Sequence, residues 1–542
     1  MLMRIRLKII AFLILYCAVG HGQESEFISG MLLDVETVEP IPFASIRVKN
    51  RAVGVISNND GSFRIPLKFR ELNDTLEITS MGYDSREIVM GELLSDKINR
   101  IYLKPMLIQL DEVTLAASKK RGKGRNAPNN NDKPTTAEEV IDQAIKNIPL
   151  NYPFNPQSYV GYYRDYQWKS EGYTNLNEAI VEVFDKGFGT SDYEESNTRI
   201  YEYFRNKNFP IDSLSERLYD YGEYKTKTIP RAFLNSYGGN EFVILRIMDA
   251  IRNYNTFSYS FVDHLDTDFL KNHDFSMEKD TYLEGKALYV IDIYKHNWKF
   301  MVRGKIYISK DNFEIHKLEY ATYDALLGTR KISKTSKKIE DRLLYRTVVE
   351  YKKQDDKMFP SYISFSNKFE VKVPPVFTVK DVVINFENKR FEIVFNRVPL
   401  QFKVLKDKNY NISYKGKGID VEKVVLADSV TVQLHPKMNL GDQSLEIFYS
   451  DPTDIKKDDF SVVMDNIIDL EGNELDYSET YSLMQFREFF VQQQKPVKQY
   501  PEDRLFMDKN WPIFQDQPIV KPDNYTDYWM NTPLLNEGAI VK

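Results

Sequence analysis

Few residues in this sequence stand at spacings that could do chemistry. His316 and Glu319, separated by Lys317-Leu318, have the H-x-x-E spacing of a zinc peptidase. Zinc needs imidazole or carboxylate ligands that converge on one open site. The two residues fall in an alternating apolar–polar stretch, which predicts a strand. Residues three apart on a strand point to opposite faces, so they are expected not to grip one ion. His264 and His273 lie among Asp266, Asp268 and Asp274. That spacing matches no metal motif and reads as an acidic loop surface. No nucleophile elbow and no phosphate-binding glycine loop is present. Glu194-Glu195 is an adjacent acid pair, but among 79 Asp and Glu residues such pairs arise by chance. A glycosidase dyad is set by separation in space, which spacing along the chain does not give. The residues therefore assign no catalytic, cofactor or metal site, and the expectation is a protein that is not an enzyme and needs no cofactor.

The elements that would position any site come next. The chain has 542 residues, room for about three domains. Its 42% hydrophobic and 28% charged residues suit a globular protein with more than one core. Tyr and Phe number 35 and 33, as half-buried strands prefer. The net charge of −6 gives no basic field for nucleic acid. Residues 1–22 read as a signal peptide: Arg4, Arg6 and Lys8 precede the apolar run Ile9 to Val19, and Gly20 and Gly22 supply small residues for cleavage. Cys17 is the only cysteine, and Tyr16 before it is too large for a lipoprotein site. Cleavage would leave a mature chain without thiol chemistry or disulfides. The expected location is exported, and the resemblance set out next implies the periplasm or an association with the outer membrane.

Residues 27–115 alternate apolar and polar positions in short runs broken by turn signals. Ile46 and Val48 alternate with polar neighbours, Asn59-Asp60-Gly61 marks a turn before Phe63 and Ile65, and Leu76 and Ile78 open a further strand. One buried face per sheet predicts a two-layer sandwich. The blocks Ser29-Gly30, Asp34, Pro40-Ile41-Pro42-Phe43-Ala44-Ser45-Ile46, Asn58 to Phe63, Met81-Gly82-Tyr83 and Leu110-Asp111-Glu112-Val113 resemble, in order, the carboxypeptidase regulatory-like domain. That resemblance implies a seven-stranded, prealbumin-like β-sandwich without catalytic activity of its own. It also implies the Gram-negative envelope, since the domain precedes many TonB-dependent transporters.

Residues 116–136 form a basic linker containing Lys119-Lys120-Arg121-Gly122-Lys123-Gly124-Arg125. Residues 137–375 read as a strand-rich α+β domain. Thr135 or Thr136 caps a helix whose stripe is Val140, Ile141, Ala144, Ile145 and Ile148. A second helix is predicted over Gly239 to Arg252. Ala287 to Tyr294, Phe300 to Ser309 and Phe313 to Tyr320 form a predicted meander, and within it Gly304 to Lys310 followed by Phe313 to Glu319 resembles the repeating strand pattern of periplasmic lipoprotein-carrier half-barrels. Residues 376–480 read as a second sandwich. Val421 to Leu434 holds two strand candidates and Ser444 to Tyr449 a third. Asp465 to Asn473 resembles the closing strand and turn of bacterial Ig-like domains. Residues 481–542 form an extended aromatic tail that opens with a helix over Leu483 to Gln494. The functional expectation is a binding, assembly or structural module for an envelope protein or glycan. A carrier of a lipophilic ligand, hence a lipid partner, is the alternative, and a peptide or glycan hydrolase the least favoured.

Overall fold

The computed structural model describes residues 27–49, 51, 53–106, 136–169, 172–222, 225–230, 239–254, 267–325, 341–439, 443–495 and 501–534. The predicted leader with Cys17, the basic linker up to residue 135, the block Leu110 to Val113, His264 and Asp266 lie outside them. The chain is mainly β, with 47% strand and 14% helix. It divides into two compact units, the second built from Gly222–Lys227 and Glu370–Tyr481.

The first unit opens with seven strands: β1 (Phe27–Asp34), β2 (Ser45–Val48), β3 (Gly54–Ile56), β4 (Ser62–Pro66), β5 (Thr75–Thr79), β6 (Arg86–Val89) and β7 (Asn99–Leu103). They form a three-stranded sheet in the order β4-β1-β7 and a four-stranded sheet β3-β2-β5-β6. Alternate side chains from both sheets, among them Ile46, Phe63, Ile78 and Ile101, are buried in one core. The predicted turn before β4 is present: the Asp60 carboxylate accepts from the Ser62 N–H at 2.9 Å. Gly61 has φ +74°, and a Cβ there would sit 2.6 Å from the Leu32 carbonyl oxygen. Only glycine fits that conformation and that contact.

A helix, α1 (Ala137–Lys146), follows. Thr136 caps it through its hydroxyl and Glu139 returns a bond to the Thr136 N–H, a reciprocal capping box. Then comes a sheet of twelve strands. Its main members are β8 (Gln157–Lys169), β9 (Gly172–Asp185), β10 (Asn197–Arg205), β11 (Asp274–Met277), β12 (Lys286–His296), β13 (Phe300–Ser309), β14 (Ile315–Asp324), β15 (Leu343–Gln354), β16 (Lys357–Lys372) and β17 (Thr480–Lys495). The order is β10-β9-β8-β17-β16-β15-β14-β13-β12-β11, and the sheet is not a closed barrel. The predicted meander is β12-β13-β14, paired antiparallel throughout.

Two helix expectations change. The run over Leu483 to Gln494 is strand, the inner part of β17. Its burial alternates, with Leu483, Gln485, Arg487 and Phe489 buried on one side. Phe490, on the other side, belongs to the sandwich core. With both faces covered, the strand shows no clean apolar–polar alternation, and its apolar spacing imitates a helix. The helix predicted over Gly239 to Arg252 is shorter, α2 (Glu241–Ile247). Asn240 caps its start, and the Asp249 carboxylate takes the N–H groups of Ile251 and Arg252 at 3.0 and 2.9 Å. An aspartate that bonds the backbone ahead of it competes with helix continuation.

Arg487 and Glu488 are neighbours on β17 and so face opposite sides of the sheet. Arg487 is fully buried. Its guanidinium donates to Glu241 at 2.6 Å, to Asn367 at 2.7 Å and to the Tyr219 hydroxyl at 2.9 Å. Glu488 accepts from Arg164 on the facing strand β8. Past β17, the segment 501–534 returns to the sandwich. Trp529 donates its indole N–H to the Arg64 carbonyl at 2.9 Å, and Asn531 bonds the Ile56 carbonyl at 2.8 Å. The described part of the predicted tail, 501–534, therefore packs on its own chain.

The second unit is a sandwich of a four-stranded sheet (Val379–Asn385, Arg390–Phe395, Thr431–Pro436, Val421–Leu426) and a three-stranded one (Lys417–Ile419, Tyr410–Tyr414, Phe460–Met464). Phe391, Ile393, Ile412 and Leu434 lie in its core. Both strand candidates in Val421 to Leu434 are present. The strand expected at Ser444 to Tyr449 is instead a 3-10 helix, Gln443–Tyr449. The Asp469 turn forms as read, its carboxylate accepting from the N–H groups of Glu471 and Asn473 at 2.9 and 2.8 Å.

Replacing Arg487 by Met is expected to lower the free energy of unfolding by about 3–5 kcal/mol, because it removes the guanidinium that balances the Glu241 carboxylate. Urea unfolding measures this. The double change Arg487→Met, Glu241→Gln should recover part of the loss. An equal loss in both would place the cost in packing rather than in pairing.

Candidate functional site

The structure separates the residues with chemical spacing. His316 is the extra residue of a bulge in β14: Tyr307 pairs with Lys317 and Ile308 with Ile315, leaving His316 between them. It lines a chamber beside the sandwich, whereas Glu319 lines a different cleft. The carboxylate nearest His316 is that of Glu314, 3.9 Å from Nε2. His273 is a core residue, with Nδ1 at 3.0 Å from the Phe269 carbonyl and Nε2 at 2.9 Å from the Tyr320 hydroxyl. Asp268 is exposed, 3.9 Å from Lys271. Among the described residues no group of three or more His, Cys, Asp or Glu could hold a metal ion.

Buried charge that the sequence did not single out gathers under α2. Asp165 accepts from Tyr163 at 2.9 Å and from Asn177 at 3.2 Å. Burial, then the nearby Glu241 charge, pushes its carboxyl up to about 7. A second group joins Asp185 and Asp192 to Arg246 and Arg252, with Arg252 on Asp185 at 2.8 Å, and beside it Asp249 accepts from the Tyr351 hydroxyl at 2.7 Å. Burial pushes Asp249 up to about 6. Perturbed carboxyls of this kind mark candidate sites. The space beside each group is about 20 Å³, room for a single water and not for a substrate. These groups are polar cores that fix the sheet.

Open space lies elsewhere. One face of β12 to β15 forms a cleft of about 1140 Å³. The strand period of two decides what it presents. Met301, Arg303 and Lys305 of β13 lie beside Tyr323, Ala321 and Glu319 of β14 in strict register. Ala321 in turn pairs with Arg346 of β15. The floor is apolar, since Met301, Ala321 and Tyr323 are buried with Leu343 in one cluster. Around it stand Arg303, Lys305, Lys317 and Arg346, with Asp292 and Glu319. Lys305 pairs with Asp292 at 3.3 Å, and Lys317 with Glu319 at 2.9 Å and Glu350 at 3.0 Å. Pro42 and Phe43 of the sandwich close one end. Phe43 is stacked on Tyr362 with centroids 5.2 Å apart.

The sandwich that supplies this end wall is matched by a known family. Residues 28–115 match the family model of the CarboxypepD_reg-like domain. The regulatory-like domain thus contributes Pro42 and Phe43, part of its Pro40 to Ser45 block, to the cleft wall. No curated protein matches the sequence. Among solved structures, a LolA superfamily protein from Nitrosomonas europaea is similar at 12% identity and TM-score 0.17, over 43% of this chain and 86% of that one. A DUF1329 family protein from Desulfovibrio piger is similar at 9% identity and a domain assigned to outer-membrane lipoprotein sorting from Vibrio parahaemolyticus at 10%, both at TM-score 0.17 and over the same shares of each chain. Among the described residues no helix is long and apolar enough to cross a membrane.

The raised Asp165 carboxyl has a measurable consequence. Between the ordinary aspartate value of 3.8 and about 7, the folded state keeps a proton that the unfolded chain releases. Its contribution is therefore present at acid pH and is lost as pH rises through that window. His316 acts oppositely: burial lowers its imidazole from 6.5 to about 4, so its contribution is lost as pH falls from 6.5 to 4. Asp165→Asn should remove a decline of at most about 1.4 kcal/mol per pH unit between pH 4 and 7. Urea midpoints across pH for both proteins check this, and parallel profiles would contradict it.

Proposed function

We propose that the protein is an exported, non-enzymatic binding protein whose cleft holds an elongated lipophilic ligand with a polar end. The observation that carries this is the cleft itself: a volume near the upper end for ligand sites, an apolar floor, and a few charged groups around it. An acyl chain on Met301, Ala321 and Tyr323 would gain about 0.8 kcal/mol per buried CH₂. The basic lining residues Arg303, Lys305, Lys317 and Arg346 outnumber the acidic ones, Asp292 and Glu319, which favours an anionic end over a cationic one. Export rests on the charged, then apolar, then small-residue order of residues 1–22, with the periplasm or outer membrane as the proposed location. A lipophilic ligand ranks ahead of a protein or glycan partner because the concave surface is already formed, whereas a flat partner surface would use edges and loops.

Titration calorimetry with oleate tests this reading. The wild-type chain should bind, and Ala321→Trp should weaken binding at least about tenfold, equivalent to about 1.4 kcal/mol. Ala321 lies at the cleft floor between Arg303 and Arg346, so a large ring there fills the space. A variant that folds and binds oleate as well as wild type would overturn the assignment of the cleft. So would a wild-type chain that binds none.

A further inference from the structure

Beside the cleft lies a smaller chamber of about 260 Å³, between the regulatory-like domain and the ends of β14 and β15. Two of the domain's sequence blocks line it, through Ile41 and Ser45 and through Met81 and Tyr83. His316 lines it from the sheet and is only 7% exposed. Neither ring nitrogen of His316, nor the buried hydroxyl of Ser45, has a hydrogen-bond partner among the described residues. Buried polar groups are nearly always paired, because an unpaired one costs about 1–3 kcal/mol. Two such groups lining one chamber, one from the domain and one from the sheet, therefore point to something that satisfies them.

The charges around the chamber narrow its chemistry. Lys317 is held by Glu350 at 3.0 Å, Lys352 by Glu284 at 2.9 Å and Lys353 by Glu314 at 2.5 Å. Lys286, at the exposed rim, has no ion pair among the described residues. The chamber lining itself carries four lysines, Lys286, Lys317, Lys352 and Lys353, against two glutamates, Glu284 and Glu350. The volume lies below the usual range for a drug-sized ligand and suits a compact group.

We propose that this chamber holds a compact oxyanion, a carboxylate or phosphate group, that accepts hydrogen bonds from the His316 imidazole and the Ser45 hydroxyl while Lys286 supplies the balancing charge. The oxyanion has two sources. It is either a free small anion or the polar head of the ligand in the cleft, since Pro42, Phe43 and Lys317 line both spaces. Only the second source rests on the lipophilic-ligand reading.

Calorimetry on the full chain separates these cases, with inorganic phosphate and dodecyl phosphate as probes. His316→Ala and Lys286→Met are the variants, and the exposed Lys286 guards against a His316 change that fails to fold. Phosphate binding that both variants weaken at least about tenfold assigns a free-anion site, and stands even if dodecyl phosphate binds no tighter and the cleft reading fails. Binding of dodecyl phosphate alone, weakened likewise, assigns a headgroup site. Dodecyl phosphate binding that neither variant changes would overturn the chamber and leave the cleft standing. Absence of binding by both probes would also overturn the chamber, while oleate still judges the cleft.

Discussion

The first unit depends on the placement of one late strand. β17 enters between β8 and β16, so the sheet has no continuous ladder until residues 480–495 arrive. Its partners on β8 lie more than 300 residues earlier, and Glu488 meets Arg164 across 324 positions. Such pairing carries a loop-closure cost that only specific contacts repay. Two adjacent charged residues supply the specificity. A one-residue slip would turn Arg487 toward the sandwich and Glu488 toward α2, leaving both charges buried against the wrong groups.

The cleft and chamber follow from that placement. With β17 in register, β16 and β15 extend the sheet under the sandwich, and Val348, Tyr362 and Phe490 join the sandwich core. Phe43 takes φ +60°, a region that costs a bulky residue of order 1–3 kcal/mol. The conformation is held from two sides. The Phe43 N–H bonds the Ser57 carbonyl at 3.0 Å, the Ser57 hydroxyl bonds the Ile41 carbonyl at 2.7 Å, and the ring stacks on Tyr362. The result is a single aromatic wall between the larger apolar space and the smaller polar one.

The sandwich was legible in the sequence because its strands bury one face each, so period two shows directly at Ile46, Val48, Leu76 and Ile78. The meander was legible for the same reason. β17 was not, because both of its faces are covered and the alternation is lost. The C-terminal end of α2 escaped because Asp249 ends the helix through its side chain rather than through a glycine or proline. The cleft was hidden differently. Arg303, Lys305, Lys317 and Glu319 occupy the polar positions of correctly read strands, and such positions read as solvent-facing until the register shows that they share one concave face. His316 was read as an ordinary strand residue. The bulge that sets it apart comes from the pairing of β13 with β14 and leaves no mark on spacing.

The most direct test is native mass spectrometry of the full chain, purified without detergent. The account predicts a bound species with the mass of one acyl-bearing molecule, released on denaturation and absent from Ala321→Trp. A bare chain, or an adduct that the Trp variant retains unchanged, would contradict it.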